Sequence, residues 1–172
     1  MGIDLVDRLA RLRIGSTYNQ YRASEILRER LRTYLDARSD AGILLVGEAA
    51  GYRGARVSGI AFTSERQLTG TGPAEASATI VHRVLAALGI EDDVLLWNVV
   101  PTHPGTATSN RPPTRAEIAA SRPFLDRLVG DRRVIAVGRV AASALADAPA
   151  IRHPSHGGAR AFADGLRRTL GL

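Results

Sequence analysis

Residues 43–64, Ile-Leu-Leu-Val-Gly-Glu-Ala-Ala-Gly-Tyr-Arg-Gly-Ala-Arg-Val-Ser-Gly-Ile-Ala-Phe-Thr-Ser, constrain the fold more than any other stretch, because an unbroken apolar run gives way there to a glycine-spaced loop with one carboxylate. Aliphatic residues without polar alternation suit a strand covered on both faces of a parallel sheet, and Gly42 and Gly47 bracket Ile43 to Val46 as strand rather than buried helix. Glu48 then falls just past the carboxyl end of that strand, where open α/β sheets receive their ligands.

The rest of the chain supplies strands and helices in alternation. Helical spacing marks residues 3–14 (Ile3, Leu5, Val6, Leu9, Leu12, Ile14) and 24–38, the latter with Ile26, Leu27, Leu31, Tyr34 and Leu35 on one face. A long loop is expected over 47–72, then a helix from Pro73 to Gly89, a second strand over 94–100 and a loop over 101–113 rich in Pro, Thr, Ser and Asn. Thr114 with Glu117 forms a capping box that opens a helix to Val129, which Pro123 is expected to kink or split. A third strand follows at 133–138, a short helix at 139–146, a very short strand at 150–152 and a closing helix at 159–170. The pattern predicts one domain over residues 1–172, a three-layer α/β/α sandwich around a central four-stranded parallel sheet.

Composition narrows the chemistry. The absence of cysteine excludes disulfides, zinc–thiolate sites, iron–sulfur clusters and a cysteine nucleophile. All 23 basic residues are arginine, so no side chain can form a lysine Schiff base. A net charge of +6 suits a polyanionic partner such as nucleic acid. No stretch reaches the roughly 18 to 20 apolar residues of a membrane span, and the amino terminus lacks the basic-then-apolar order of a signal peptide, so a cytoplasmic protein off the membrane is expected. No His, Asp and Glu cluster has metal-ligand spacing, so neither metal nor cofactor is expected. His82 and His103 read as structural.

Three of the four strand-end loops carry a polar group fit for chemistry: Glu48, Asn98 and His153. Singly, a carboxylate there caps a loop, an asparagine closes a turn and a histidine before proline fills space. Together, the fold would bring them to one rim. The motifs around them resemble the uracil-DNA glycosylase superfamily. Gly47-Glu48-Ala49-Ala50-Gly51 is similar to its Gly-Glu-Ala-Pro-Gly motif, and Gly59-Ile60-Ala61-Phe62-Thr63-Ser64 to the segment with its base-stacking phenylalanine. Leu95-Leu96-Trp97-Asn98-Val99-Val100 resembles the strand ending in its base-reading asparagine, and His153-Pro154-Ser155 its histidine motif. Asn110-Arg111-Pro112-Pro113-Thr114 and Ser121-Arg122-Pro123-Phe124-Leu125 resemble the iron–sulfur branch, but Ser121 stands where that branch has a cluster cysteine.

The resemblance implies a monofunctional DNA glycosylase that flips uracil out of single- or double-stranded DNA and hydrolyses it off, acting as a monomer in base excision repair. Glu48 and His153 would be catalytic, the first opposing positive charge on the sugar and activating water, the second donating to the departing base. Phe62, Asn98, Gly47 and Tyr52 would contact the base. Ser155, His156, Gly157, Arg152 and Arg160 would contact DNA, with His156 or Arg160 filling the gap left by the flipped base, where some relatives carry a leucine. Ala49 and Ala50 depart from the motif's aspartate and proline in other branches. Gly51 and Gly54 leave small residues where other branches exclude the thymine methyl, with Tyr52 as the candidate substitute. Excision of hypoxanthine, mismatched thymine or another modified base is therefore an alternative, as are an inactive DNA-binding relative and a hydrolase of free nucleosides.

Overall fold

Side chains in the central strands alternate between two cores, and that alternation sets the layering. The computed structural model of the chain describes the backbone of residues 2–172 and side chains from Asp4 onward, so the side chain of Ile3 lies outside the described residues. In chain order the elements are α1 (Gly2–Arg11), α2 (Gln20–Ala23), α3 (Glu25–Ala37), β1 (Ile43–Ala49), α4 (Ala55–Ser58), α5 (Glu65–Thr69), α6 (Ala76–Leu88) and β2 (Val94–Val100). A hairpin of β3 (Gly105–Thr106) and β4 (Ser109–Asn110) follows, then α7 (Arg115–Val129), β5 (Arg133–Val137), α8 (Arg139–Ala144), β6 (Ala150–Ile151) and α9 (Ala159–Leu170).

Leu44 and Val46 of β1, with Leu95, Trp97 and Val99 of β2, enter one core built with α1, α3, α7 and α8. Ile43, Leu45, Val94 and Leu96 enter the other, with Val81 and Leu85 of α6 and Phe162 and Leu166 of α9. The main sheet is four-stranded in the order β2-β1-β5-β6, all parallel, as the alternation of strands and helices implies. From β1 the chain crosses to β2 on one side and only later to β5 on the other. The switch point therefore lies between the carboxyl ends of β1 and β5, the place where such sheets open a crevice. Among the described residues no helix is long and apolar enough to cross a membrane.

Several local expectations are corrected. Parallel pairing carries β1 on through Gly47 opposite Asn98 and Ala49 opposite Val100, so Glu48 lies within the strand's last residues rather than past them. The loop 47–72 is not structureless but contains α4 and α5. Helix α6 begins at Ala76, not Pro73, because the backbone N–H of Glu75 is taken by Ser64 Oγ at 2.8 Å, which ties residues 73–75 to the preceding loop. The first helix stops at Arg11, although Ile14 beyond it remains buried. Ile26 is 65% exposed, since the side of α3 that faces the core is the Leu27–Leu31–Leu35 row with Tyr34 packed beside it. Short α2 carried no periodic signal, yet its Gln20 and Tyr21 are buried.

Pro123 does not break α7, which runs unbroken from Arg115 to Val129. One lost backbone bond costs about 3 kcal/mol, whereas burying Phe124, Leu125 and Leu128 contributes roughly 1.5–3 kcal/mol each. The expected capping box is present, with Thr114 Oγ1 accepting from Glu117 N and Glu117 Oε2 accepting from Thr114 N. Glu117 also holds Arg111 through both oxygens, at 2.7 and 2.9 Å, which keeps its carboxyl down at about 2. Two residues before the helix cap, Pro112 is thereby fixed on the wall of the crevice described below.

Ser121, at the cluster-cysteine position, is fully buried and its hydroxyl has no hydrogen-bond partner among the described residues. Ser121→Ala removes an unpaired polar group with little change of volume. It should stabilise the protein by about 1 kcal/mol, read as a rise of about 3 °C in thermal midpoint.

Candidate active site

The register between β1 and β2 sets Gly47 beside Asn98. A Cβ on Gly47 would lie 2.4 Å from Phe62 Cζ and 2.7 Å from Asn98 Oδ1, so only glycine allows the ring and the amide to meet over the strand. Asn98 is 6% exposed, and its amide makes no hydrogen bond with another described residue, leaving its donor and acceptor unengaged.

Phe62 arrives from the loop after β1 in a left-handed backbone conformation, φ 52°, which is unusual for a bulky side chain. Its surroundings hold it there. Ser58 Oγ donates to Thr63 O at 2.6 Å, Thr63 Oγ1 lies 3.0 Å from Ala61 O, and Tyr21 Oη donates to Gly59 O at 2.8 Å. Beneath the same loops Gln20 Nε2 donates to Pro101 O at 2.9 Å and to Ala55 O at 3.3 Å, joining the segments that follow β1 and β2. His103 is wholly buried, its ring nitrogens 2.6 Å from Ala50 O and 2.7 Å from Thr106 O, a structural clamp on the same loops.

From the end of β6, His153 brings its ring centroid to 6.3 Å from that of Phe62, at 33°. The backbone N–H of Ser155 donates to His153 Nδ1 at 3.1 Å, and Ser155 Oγ lies 2.7 Å from the same atom. An Nδ1 that accepts carries no proton, so the hydrogen of the neutral ring sits on Nε2. Burial first, then the charges of Arg152 and His156, lowers the pKa of His153 and favours that neutral ring.

Glu48 shares a cavity of about 720 Å³ with His153, Arg152, Ser155, His156 and Arg139 at the β1/β5 switch point. Its carboxylate is half-buried and makes no hydrogen bond to another described residue. Burial raises its pKa, and Arg139 opposes that rise. A larger hollow of about 800 Å³ at the amino end of β5 contains none of Glu48, Phe62, Asn98 and His153.

The remaining picks lie further out. The backbone N–H of Tyr52 donates to Asn110 Oδ1 at 2.9 Å, tying its loop to the hairpin, and Arg53 sits over the Tyr52 ring. His156 (φ 51°) and Gly157 (φ 76°) form an exposed left-handed turn, with His156 Nδ1 3.1 Å from Ser155 Oγ. Arg160 is exposed on α9, 3.9 Å from Asp164. Neither Tyr52, Gly157 nor Arg160 lines the cavity.

Two neighbours escaped sequence reasoning. Arg139 follows β5, the fourth strand end, and the rule that found Glu48, Asn98 and His153 would have found it too. Glu75 had no local signal. Its carboxylate lies where a Cβ on Gly54 would come within 2.1 Å and one on Gly51 within 2.9 Å, so it fills the space beside both glycines. Burial raises the Glu75 pKa, against a hydrogen bond from Ser77 Oγ at 3.0 Å.

The crystal structure of wild-type Pedobacter heparinus SMUG2 is similar to this fold, with a TM-score of 0.71 over 99% of this chain and 96% of that one, at 13% sequence identity. A search of curated proteins gives no match. A family model described as the uracil DNA glycosylase superfamily matches residues 34–168, which takes in the strand ends and loops that carry Glu48, Phe62, Asn98 and His153. On that match, spanning more than half of its length, the chain belongs to the uracil DNA glycosylase superfamily.

Proposed function

We propose that the protein is a monofunctional DNA N-glycosylase that extrudes uracil and hydrolyses its glycosidic bond, leaving an abasic site. The observation that carries this reading is a carboxylate and a neutral imidazole, Glu48 and His153, on one crevice, with Phe62 beside the imidazole and meeting Asn98 over Gly47.

As the C1′–N1 bond breaks, its electron pair leaves with the base and positive charge grows on the sugar. Glu48 opposes that charge and takes a proton from the water whose oxygen bonds to C1′. His153 Nε2–H donates to the base oxygen that becomes negative, and solvent protonates the released base. Phe62 gives the extruded base an apolar face. Asn98, with donor and acceptor both free, pairs with the O4/N3 edge of uracil and rejects cytosine, whose edge has the opposite polarity. Arg139 and Arg152 on the cavity wall, and a net charge of +6, suit the phosphate backbone. Without lysine no side-chain imine can form, which argues against an associated imine-type lyase and for an abasic-site product.

A second reading keeps the chemistry and changes the base. It is favoured by Gly51 and Gly54, which meet the Glu75 carboxylate rather than a bulky wall.

The test is alkali-revealed cleavage of oligonucleotides that carry uracil, hypoxanthine or mismatched thymine, beside Glu48→Ala and His153→Ala proteins. Uracil-dependent cleavage lost in both variants supports the proposal, and release of another base alone moves it to the second reading. Salt-sensitive binding without release leaves a DNA-binding relative, and activity on free nucleosides alone leaves a hydrolase.

Activity should also report the electrostatics. Catalysis needs Glu48 ionised, so kcat/KM falls on the acid side. Because Arg139 lowers the Glu48 pKa, Arg139→Gln removes that opposition and should move the acid limb of the profile to higher pH.

A further inference from the structure

His82, on α6, belongs to no motif and lines no crevice wall, yet both of its ring nitrogens are engaged. Nδ1 lies 2.7 Å from Glu91 Oε1 and Nε2 lies 3.0 Å from Thr63 Oγ1. Thr63 is 3% exposed and follows Phe62 directly. The link holds in either state of the ring. A charged imidazole donates from Nε2 while Thr63 Oγ1 donates to Ala61 O; a neutral ring with its proton on Nδ1 accepts from Thr63 Oγ1 instead. Glu91 accepts from Nδ1 in both.

A left-handed conformation at a residue as large as Phe62 is strained and persists only where its surroundings impose it. Ser58 Oγ grips the carbonyl of Thr63 from one side, and His82 grips its hydroxyl from the other. We infer that His82 is a positioning residue: backed by Glu91 and acting through Thr63, it holds Phe62 in its left-handed seat over Gly47 and beside His153, and so fixes the stacking face for the extruded base. The inference rests on the proposed function for what Phe62 does there. The seat itself is a matter of structure and can be read without catalysis.

Three substitutions separate positioning from general support. His82→Gln places an amide near the position of Nε2 and keeps the link to Thr63. His82→Asn ends near Nδ1, keeps Glu91 and loses Thr63. Thr63→Val breaks the same link from the other end at nearly constant volume. Single-turnover base release should fall about tenfold or more in His82→Asn and Thr63→Val, with DNA affinity unchanged, and should return to within about threefold of the parent in His82→Gln. In a Phe62→Ala background the same two substitutions should change the rate by less than about twofold, since their route runs through the missing ring. Ring resonances of Phe62 should shift in His82→Asn and Thr63→Val and not in His82→Gln.

Equal losses with and without the Phe62 ring, or unshifted Phe62 resonances in variants that melt cooperatively, would overturn the inference. A parent protein that releases no base from any oligonucleotide would sink the proposed function instead, and the resonances would still decide the seat.

Discussion

Glu48→Gln should slow base release steeply and at the same time raise the thermal midpoint at neutral pH. The side chain is half-buried, without a hydrogen bond to another described residue, and burial is the larger cause of its raised pKa. A folded-state pKa above the unfolded one means that this group favours the fold at low pH. That contribution is lost as pH rises through the folded value, after which the fold carries a poorly solvated charge. Glutamine keeps the shape and never ionises, so the stability gap over the parent should open from acid to neutral pH and close below the unfolded carboxylate range. On the proposed mechanism catalysis loses both the base for water and the anion facing the sugar, a loss of about 10²–10⁴-fold. Thermal unfolding across pH, run beside single-turnover release, checks both halves. A glutamine variant as active as its parent would remove Glu48 from the mechanism, and one no more stable at neutral pH would contradict the desolvation reading.

Gly47→Ala should be nearly as damaging without touching an ionisable group. The new Cβ would fall 2.4 Å from Phe62 Cζ, 2.8 Å from Phe62 Cε2 and 2.7 Å from Asn98 Oδ1. Phe62 cannot simply slide away, because its left-handed backbone is bracketed by buried hydrogen bonds, and Asn98 is held by the β1–β2 ladder. Both groups shift, and displacements near 1 Å at a reacting site cost about 10²-fold in rate. Overpacking should also cost about 1–3 kcal/mol of stability. Relief is expected in a Phe62→Ala background, where the tightest clash is gone. An alanine variant with parental kcat/KM would show that Phe62 and Asn98 need not meet over this strand.

Local chemistry made much of the fold legible before any coordinates. The apolar runs at 43–46 and 94–100, the Thr114–Glu117 box and the glycine after Leu88 are short-range signals whose physics is complete within a few residues, and the strands, caps and helix ends they imply are present. The same logic fails where the deciding partner is distant. Strand β1 continues past Val46 only because β2 pairs with it, α2 exists because Gln20 and Tyr21 reach carbonyls far along the chain, and Pro123 stays in α7 because its neighbours are buried.

The sequence by itself determined which residues stand at the carboxyl ends of parallel strands, and so which chemical groups the crevice contains. Only the tertiary structure decided how those groups face one another. The meeting of Phe62 and Asn98 over Gly47, the approach of Arg139 to Glu48 and the tie from His82 to Thr63 all join segments far apart in the chain. Spacing along a strand is set by covalent geometry and can be read from order alone. Contact between strands and loops is set by register and packing, which exist only once the whole core has formed.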